Sequence, residues 1–283
     1  MKKFLSGLCA AILAMSIAPL ANAVELESAP PQRTQIAIVY DTGEAIGSAN
    51  QHEARPALSL SKLYLGMWVL RNGDNADKAK VENMIRFSED ATASYLDRKY
   101  PQAISEVIGN YGLTHSRYGG AWGNSTTSVS DVARFVSAIK YDPVAAPIIQ
   151  GMRTAAPIAA DGYPQNYGTS QLPSSEGTKF GWSDNHNVNG TVSFGPGYVV
   201  AASTFGSASD NTSDVKSSIR DTPAGIPGIP DIPGVLPGFN GGAELKQRLR
   251  CLVPEEAGAA VEQIIPDNVP IPQQLVTVLP QCR

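Results

Sequence analysis

The sequence is poor in the residues that hold metals. Three histidines, His52, His115 and His186, and three cysteines are scattered over 283 residues with no ligand-like spacing. A zinc site needs three or four such donors at patterned intervals, so neither a metal nor another cofactor is expected. Basic clusters are also missing. Without Lys2 and Lys3, which fall in a leader described below, 20 basic residues face 26 acidic ones, a net charge of −6. That balance argues against nucleic acid or an anionic lipid surface as partner. Cysteine is scarcer still once Cys9, inside the leader, is set aside. Cys251 and Cys282 remain, and in an exported protein they read most simply as a disulfide, two free thiols being the alternative.

The first residues carry an address. Lys2 and Lys3 precede the apolar run "FLSGLCAAILAMSIAPL", and Ala21-Asn22-Ala23 is a small-x-small cleavage site. This is the pattern of a secretory signal peptide over 1–23. The expected location is therefore exported (periplasmic, cell-wall associated or secreted), with membrane contact only through that signal. Cleavage leaves 260 residues, ample for one large α/β domain.

Residues 24–34 read as a polar leader, and "TQIAIVYD" (34–41) as a strand by its alternation and β-branched content. A second strand is expected after the turn residues Gly43 and Gly47. A helix from about 59 to 70 is apolar nearly all round, hence central. Gly73 stops it, Asn75 is a candidate cap, and the next helix, about 76–87, faces inward with Val81, Met84 and Ile85. Further helices are expected near 91–98, 101–110, 129–140 and 143–152, the third capped by Ser128 with Asp131 three residues on. After a loop over 157–176, "TKFGWS", "GTVSF" and "GYVVAASTF" read as three successive strands. One early strand, then helices, then antiparallel strands predict an α+β sheet with a helical insertion, occupying 24–220. From 221 to 283 the chain is a Pro/Gly-rich extension with short helices.

Within the central helix, Ser59 and Lys62 stand a turn apart on one face. Burying an ammonium without a partner costs several kcal/mol, roughly, and drives it toward the neutral amine. A neutral lysine can take a serine proton and make a nucleophile; a serine cap with a snorkelling lysine is the plainer reading of these four residues. The second polar box, "FSEDATAS", bears on the choice. A dozen residues rise about 18 Å along one helix, and the next helix returns by a similar distance, so Ser88 should come back beside Ser59. A third box, "GTKFGWS", puts Lys179 on a strand with Gly181 two places on, where a strand can approach a ligand closely.

These boxes, in this order, resemble those of the penicillin-recognising serine hydrolases, the class A β-lactamases and D-alanyl-D-alanine peptidases, whose motifs are Ser-x-x-Lys, Ser-Asp-Asn and Lys-Thr-Gly. The resemblance spans about 35–206 and is most specific at "PALSLSKLYL" and "MIRFSEDATASYL", with "STTSVSDVARFV" similar to the family's Thr-Thr-rich approach to a later helix. It implies an antiparallel sheet flanked by helices plus a helical lobe, with the cleft between. It further implies Ser59 as acylated nucleophile, Lys62 as general base, Ser88 as proton relay and Lys179 as positive potential toward a substrate carboxylate. The backbone N–H groups of Ser59 and Trp182 would form the oxyanion hole, with Gly181 beside them. The implied ligand is a peptidoglycan-type peptide or a β-lactam-like small molecule.

Three departures qualify the resemblance. The middle box is Ser-Glu-Asp, so Asp90 can accept from Lys62 but has no amide to donate, and its charge favours protonated Lys62. Phe180 stands where the family carries a hydroxyl residue that helps hold a carboxylate. No "E-x-x-L-N" segment precedes Thr126, and Glu106 has the wrong neighbours, so an efficient β-lactamase is not expected. Two functions follow: a serine acyl-enzyme of the peptidase kind, or a catalytically impaired relative that binds or scaffolds in the cell envelope.

Overall fold

The computed structural model describes residues 24–221. The expected signal peptide, the Pro/Gly-rich extension beyond Asp221 and the expected Cys251–Cys282 pairing lie outside the described residues.

The chain opens with β1 (Val24–Leu26), then β2 (Thr34–Tyr40) and β3 (Ala45–Gly47). A two-residue strand, β4 (Arg55–Pro56), leads into a 3-10 turn over Leu58–Leu60. Helices α1 (Ser61–Asn72), α2 (Asn75–Lys78), α3 (Val81–Arg86), α4 (Asp90–Lys99) and α5 (Ala103–Asn110) form the helical lobe. After β5 (Thr126–Thr127), which pairs with β4, come α6 (Val129–Ile139) and α7 (Ala146–Arg153). The chain closes the main sheet with β6 (Gly177–Trp182), β7 (Val188–Gly195) and β8 (Tyr198–Phe205), and ends in α8 (Ala208–Ser218) and β9 (Ile219–Asp221).

The main sheet has five antiparallel strands in the order β3-β2-β8-β7-β6. All seven residues of β2 are buried because both faces of the sheet are covered. Alternation sorts them: Ala37 and Val39 join α1, α6 and the helical lobe in one core, while Ile36, Ile38 and Tyr40 join Val215 and Ile219 in another. The sheet with its helical insertion is thus as the sequence predicts.

Helix α1 is the axis of the lobe, with every residue from Ser61 to Leu70 buried. Gly73 ends it as expected, but the following helix is broken in two. Asp74, not Asn75, caps α2 by accepting from the Asp77 N–H at 2.9 Å. Lys80 N–H then bonds the Asp77 carbonyl three residues back, interrupting the helical ladder. The break holds Asp77, 1 % exposed, against Lys80 and Lys99. Val81, Met84 and Ile85 still face inward, so the hairpin geometry survives.

Besides the short strands β4, β5 and β9, two elements run against the sequence-based expectation. The polar leader contains β1, which pairs with β9 in the register Val24 to Asp221. The other is α8, started by a capping box between Ser207 and Asp210 and expected nowhere in the sequence pattern.

Candidate functional site

Ser59 lies within the 3-10 turn that precedes α1, one residue after Leu58, whose φ is +55°. The expected helix start at Ser59 is therefore displaced to Ser61. The strained backbone at Leu58 sets the turn against the edge of β6. A Cβ on Gly181 would come within 2.9 Å of Leu58 Cβ and 3.0 Å of the Ser59 nitrogen, so glycine is required for this approach.

The helical hairpin delivers the other groups. Lys62 Nζ lies 2.9 Å from Ser59 Oγ, donates to the Ser88 carbonyl at 2.7 Å and reaches Ser88 Oγ at 3.3 Å. It also donates to Asp90 Oδ1 at 2.5 Å. The indole of Trp122 covers it, 4.4 Å from nitrogen to ring centre. From β6, Lys179 Nζ donates to Ser88 Oγ at 2.8 Å and to the Phe180 carbonyl at 2.9 Å. Ser88 itself holds φ +55°, which turns its carbonyl toward Lys62 while its hydroxyl sits between the two amines. Ser59, Lys62, Ser88, Asp90 and Lys179 are thus brought together.

Both lysines are fully buried. Burial is the main cause that pulls Lys62 below its ordinary value, opposed by the charge and hydrogen bond of Asp90. Asp90 thus acts in the direction its chemistry predicts, but burial outweighs it. Lys179 falls well below the lysine range, first by burial and then by the charge of Lys62, with Asp90 and Asp161 opposing. An uncharged Lys62 amine can take the Ser59 proton, and the Ser88 hydroxyl can pass a proton onward.

Beside these groups is an edge of free backbone. Ser183 N–H donates to the Val188 carbonyl at 3.0 Å, so the strand alternation turns the Trp182 N–H away from β7. The Phe180 carbonyl, two residues back, also points outward, where Lys179 finds it. The Phe180 ring stands on the opposite side of the strand from Lys179, packed edge-on to Tyr167 at 5.2 Å.

Some groups stand apart. Glu106 accepts from the Trp68 indole at 2.7 Å and is held within the helical lobe. Asp161, in the loop that the sequence leaves featureless, brings a further carboxylate to the strand box. Its Oδ2 accepts from the Trp182 indole at 2.9 Å and its Oδ1 from the Tyr163 N–H at 3.0 Å, while the Tyr163 ring stacks on Trp182 at 4.7 Å. The sequence offers one signal for it, the Asp-Gly-Tyr-Pro turn at 161–164. Among the described residues, no cluster of three histidines, cysteines or carboxylates could hold a metal ion, and no helix is long and apolar enough to cross a membrane.

No family model and no curated protein matches the chain by sequence. Solved structures do match by shape. A β-lactamase from Sphaerobacter thermophilus superimposes with a TM-score of 0.53 at 16% identity, covering 65% of this chain and 87% of its own. The β-lactamase from Streptomyces albus G gives 0.51 at 15% identity, covering 66% and 94%. Penicillin-binding protein D2 from Listeria monocytogenes, in its cefotaxime-bound form, gives 0.50 at 17% identity, covering 65% and 94%. The chain therefore has the fold of the β-lactamases and penicillin-binding proteins.

Proposed function

We propose that this chain is an exported serine hydrolase that works through an acyl-enzyme, acting on a cell-wall peptide or a related amide or ester. The observation that carries the reading is the unbroken chain Ser59–Lys62–Ser88–Lys179, in which each polar atom lies within 3.3 Å of the next. In this scheme neutral Lys62 takes the Ser59 proton as Oγ attacks the substrate carbonyl. The backbone N–H groups of Ser59 and Trp182 hold the developing oxyanion, where electrostatic stabilisation is worth most. The proton reaches the leaving group through the Ser88 hydroxyl, whose position Lys179 fixes by donating to it. Water then releases the acyl group from Ser59. The Listeria protein of the same fold binds cefotaxime, which makes a β-lactam a reasonable first probe.

A second reading has its own support. Ser59 is only 7 % exposed, and the Ser-Glu-Asp and Lys-Phe-Gly boxes depart from the hydrolase pattern, as befits a cleft that binds or scaffolds without turnover. One experiment separates the two. The protein is incubated with a fluorescent penicillin and with a fluorophosphonate, and adducts are sought by intact mass beside a Ser59→Ala control. An adduct that vanishes in the control supports catalysis; no adduct with any probe of a broad panel leaves the scaffold.

A further inference from the structure

The loop 156–165 spans the two sides of the site. On the helical side, Ala156 N–H donates to the Arg86 carbonyl at 3.0 Å and Ala160 N–H to the Phe87 carbonyl at 2.8 Å, immediately before Ser88. Gln165 Nε2 adds a second bond to the Arg86 carbonyl at 3.0 Å. On the sheet side, Asp161 holds the Trp182 indole, Tyr163 stacks on that ring, and Tyr163 Oη donates to Asn189 Oδ1 at 3.2 Å. The loop is thus fastened at both ends, and it carries a carboxylate against the Trp182 side chain, from where its charge acts on Lys179 and Lys62.

Three further features concern charge there. Lys179 has two hydrogen-bond acceptors, Ser88 Oγ and the Phe180 carbonyl, and no exposure to water. Two acceptors suit the two N–H groups of an uncharged amine, whereas an ammonium would leave one donor buried and unmet. Phe180 offers no hydroxyl and faces the other side of the strand. Lys62 is already matched by Asp90. With Lys179 uncharged, and Lys62 neutral when it acts as the base, the carboxylates of Asp90 and Asp161 have no cation to offset them, and the site is net negative where an anion would otherwise be received.

We propose that this cleft selects acyl donors whose leaving group carries no carboxylate, neutral or cationic esters and amides, with Asp161 the residue that sets the preference. This inference rests on the acyl-enzyme reading and narrows its substrate class. It also replaces the expectation that Lys179 attracts a substrate carboxylate. The exclusion works by repulsion: a leaving-group anion placed beside Trp182 would meet the Asp161 carboxylate instead of a free cation.

The test compares aryl phenylacetate esters that differ only in the leaving group, phenol against 3-carboxyphenol, each corrected for its rate with hydroxide. The neutral ester is expected to show kcat/KM about tenfold or more above its carboxylate partner, a factor that corresponds to about 1.4 kcal/mol. Asp161→Asn keeps an acceptor for the indole, and it should shrink that preference about tenfold. A measurement without any variant is salt: raising it from about 0.05 to 0.5 M screens the repulsion and should also narrow the preference. Equal or better turnover of the carboxylate ester, or a variant that shifts both esters by one factor, overturns the inference while leaving the acyl-enzyme standing. If neither ester acylates Ser59 and a fluorophosphonate does not phosphonylate it, the hydrolase reading falls and this inference falls with it.

Discussion

Replacing Asp90 by asparagine tests the proton balance of the site directly. Asp90 Oδ1 accepts from Lys62 Nζ at 2.5 Å, and the side chain is 60 % exposed. Two unit charges at that separation attract by about 1.7 kcal/mol in bulk-water dielectric. Exposure makes that screened regime the right one, and mobile ions reduce the figure to about 1 kcal/mol. The carboxylate is therefore what opposes burial and holds Lys62 protonated, and its loss lets the amine give up its proton at lower pH. Asparagine keeps an acceptor oxygen at the same place, and Lys62 keeps its bonds to Ser59 and Ser88, so position is preserved while charge is lost. Labelling of Ser59 by a fluorophosphonate, followed by intact mass across the pH range, should then show the rising limb moved to lower pH. Below that limb the variant should label about fivefold faster. A limb that stays in place or moves upward would refute Lys62 as the general base, provided thermal melts show the variant folded.

Gly181→Ala would drive a methyl group into Leu58 and the Ser59 nitrogen, at 2.9 and 3.0 Å; a loss of about 1–3 kcal/mol in stability and of most Ser59 labelling is expected in denaturant melts and probe assays. Lys179→Met removes a buried amine held below its ordinary value, so it should raise the melting temperature by about 2–4 °C for each kcal/mol relieved, while slowing acylation. The same two lysines set a pH dependence. Between their lowered folded values and the ordinary 10.5, the unfolded chain binds protons that the folded chain does not, so stability should rise with pH up to about 10. Above that, buried tyrosines such as Tyr198, pushed up to about 12, reverse the slope, and a stability falling steadily from pH 7 to 10 would contradict the assignment. Trp122 covers Lys62, and Glu106 is held by Trp68, so an acyl group left on Ser59 by a neutral activated ester should outlast removal of free probe; rapid loss would point to a water-activating group elsewhere.

What could be read from sequence depended on how local the determining forces are. The three late strands and β2 announce themselves by short β-branched and aromatic runs between turn residues, and α6 because Ser128 and Asp131 cap an amphipathic stripe. The meeting of Ser59 with Ser88 follows from helix rise alone, and the split between α2 and α3 does not disturb it. By contrast, α8 hides its buried face in polar residues: Asn211 donates to Thr204 and Asp214 pairs with Arg33 and Thr34, so no hydrophobic period marks it. Strands of three residues, such as β1 and β9, exist only through their pairing. Asp161 escaped for the same reason. Its loop has no period, and its place is fixed by bonds to Arg86, Phe87 and Trp182, each remote in sequence.

The balance between an enzyme and an inert cleft can be weighed from what the site costs the fold. Leu58 and Ser88 both sit at φ +55°, and a side chain held there carries about 1–3 kcal/mol of strain. Two amines with no exposure to water share one hydroxyl, an arrangement that burial and mutual repulsion both disfavour. Native stability is only about 5–15 kcal/mol in total, so these features draw on a large part of it. A surface that merely holds a partner needs neither a strained serine nor a buried lysine, since a polar rim and an apolar floor would bind as well. Proton transfer needs both: a lysine poised to lose its charge, and a hydroxyl held where two amines can reach it. Of the three non-glycine residues at positive φ among those described, Leu58, Ser88 and His186, two are the ones that aim Ser59 and Ser88, and that coincidence favours the acyl-enzyme over the scaffold.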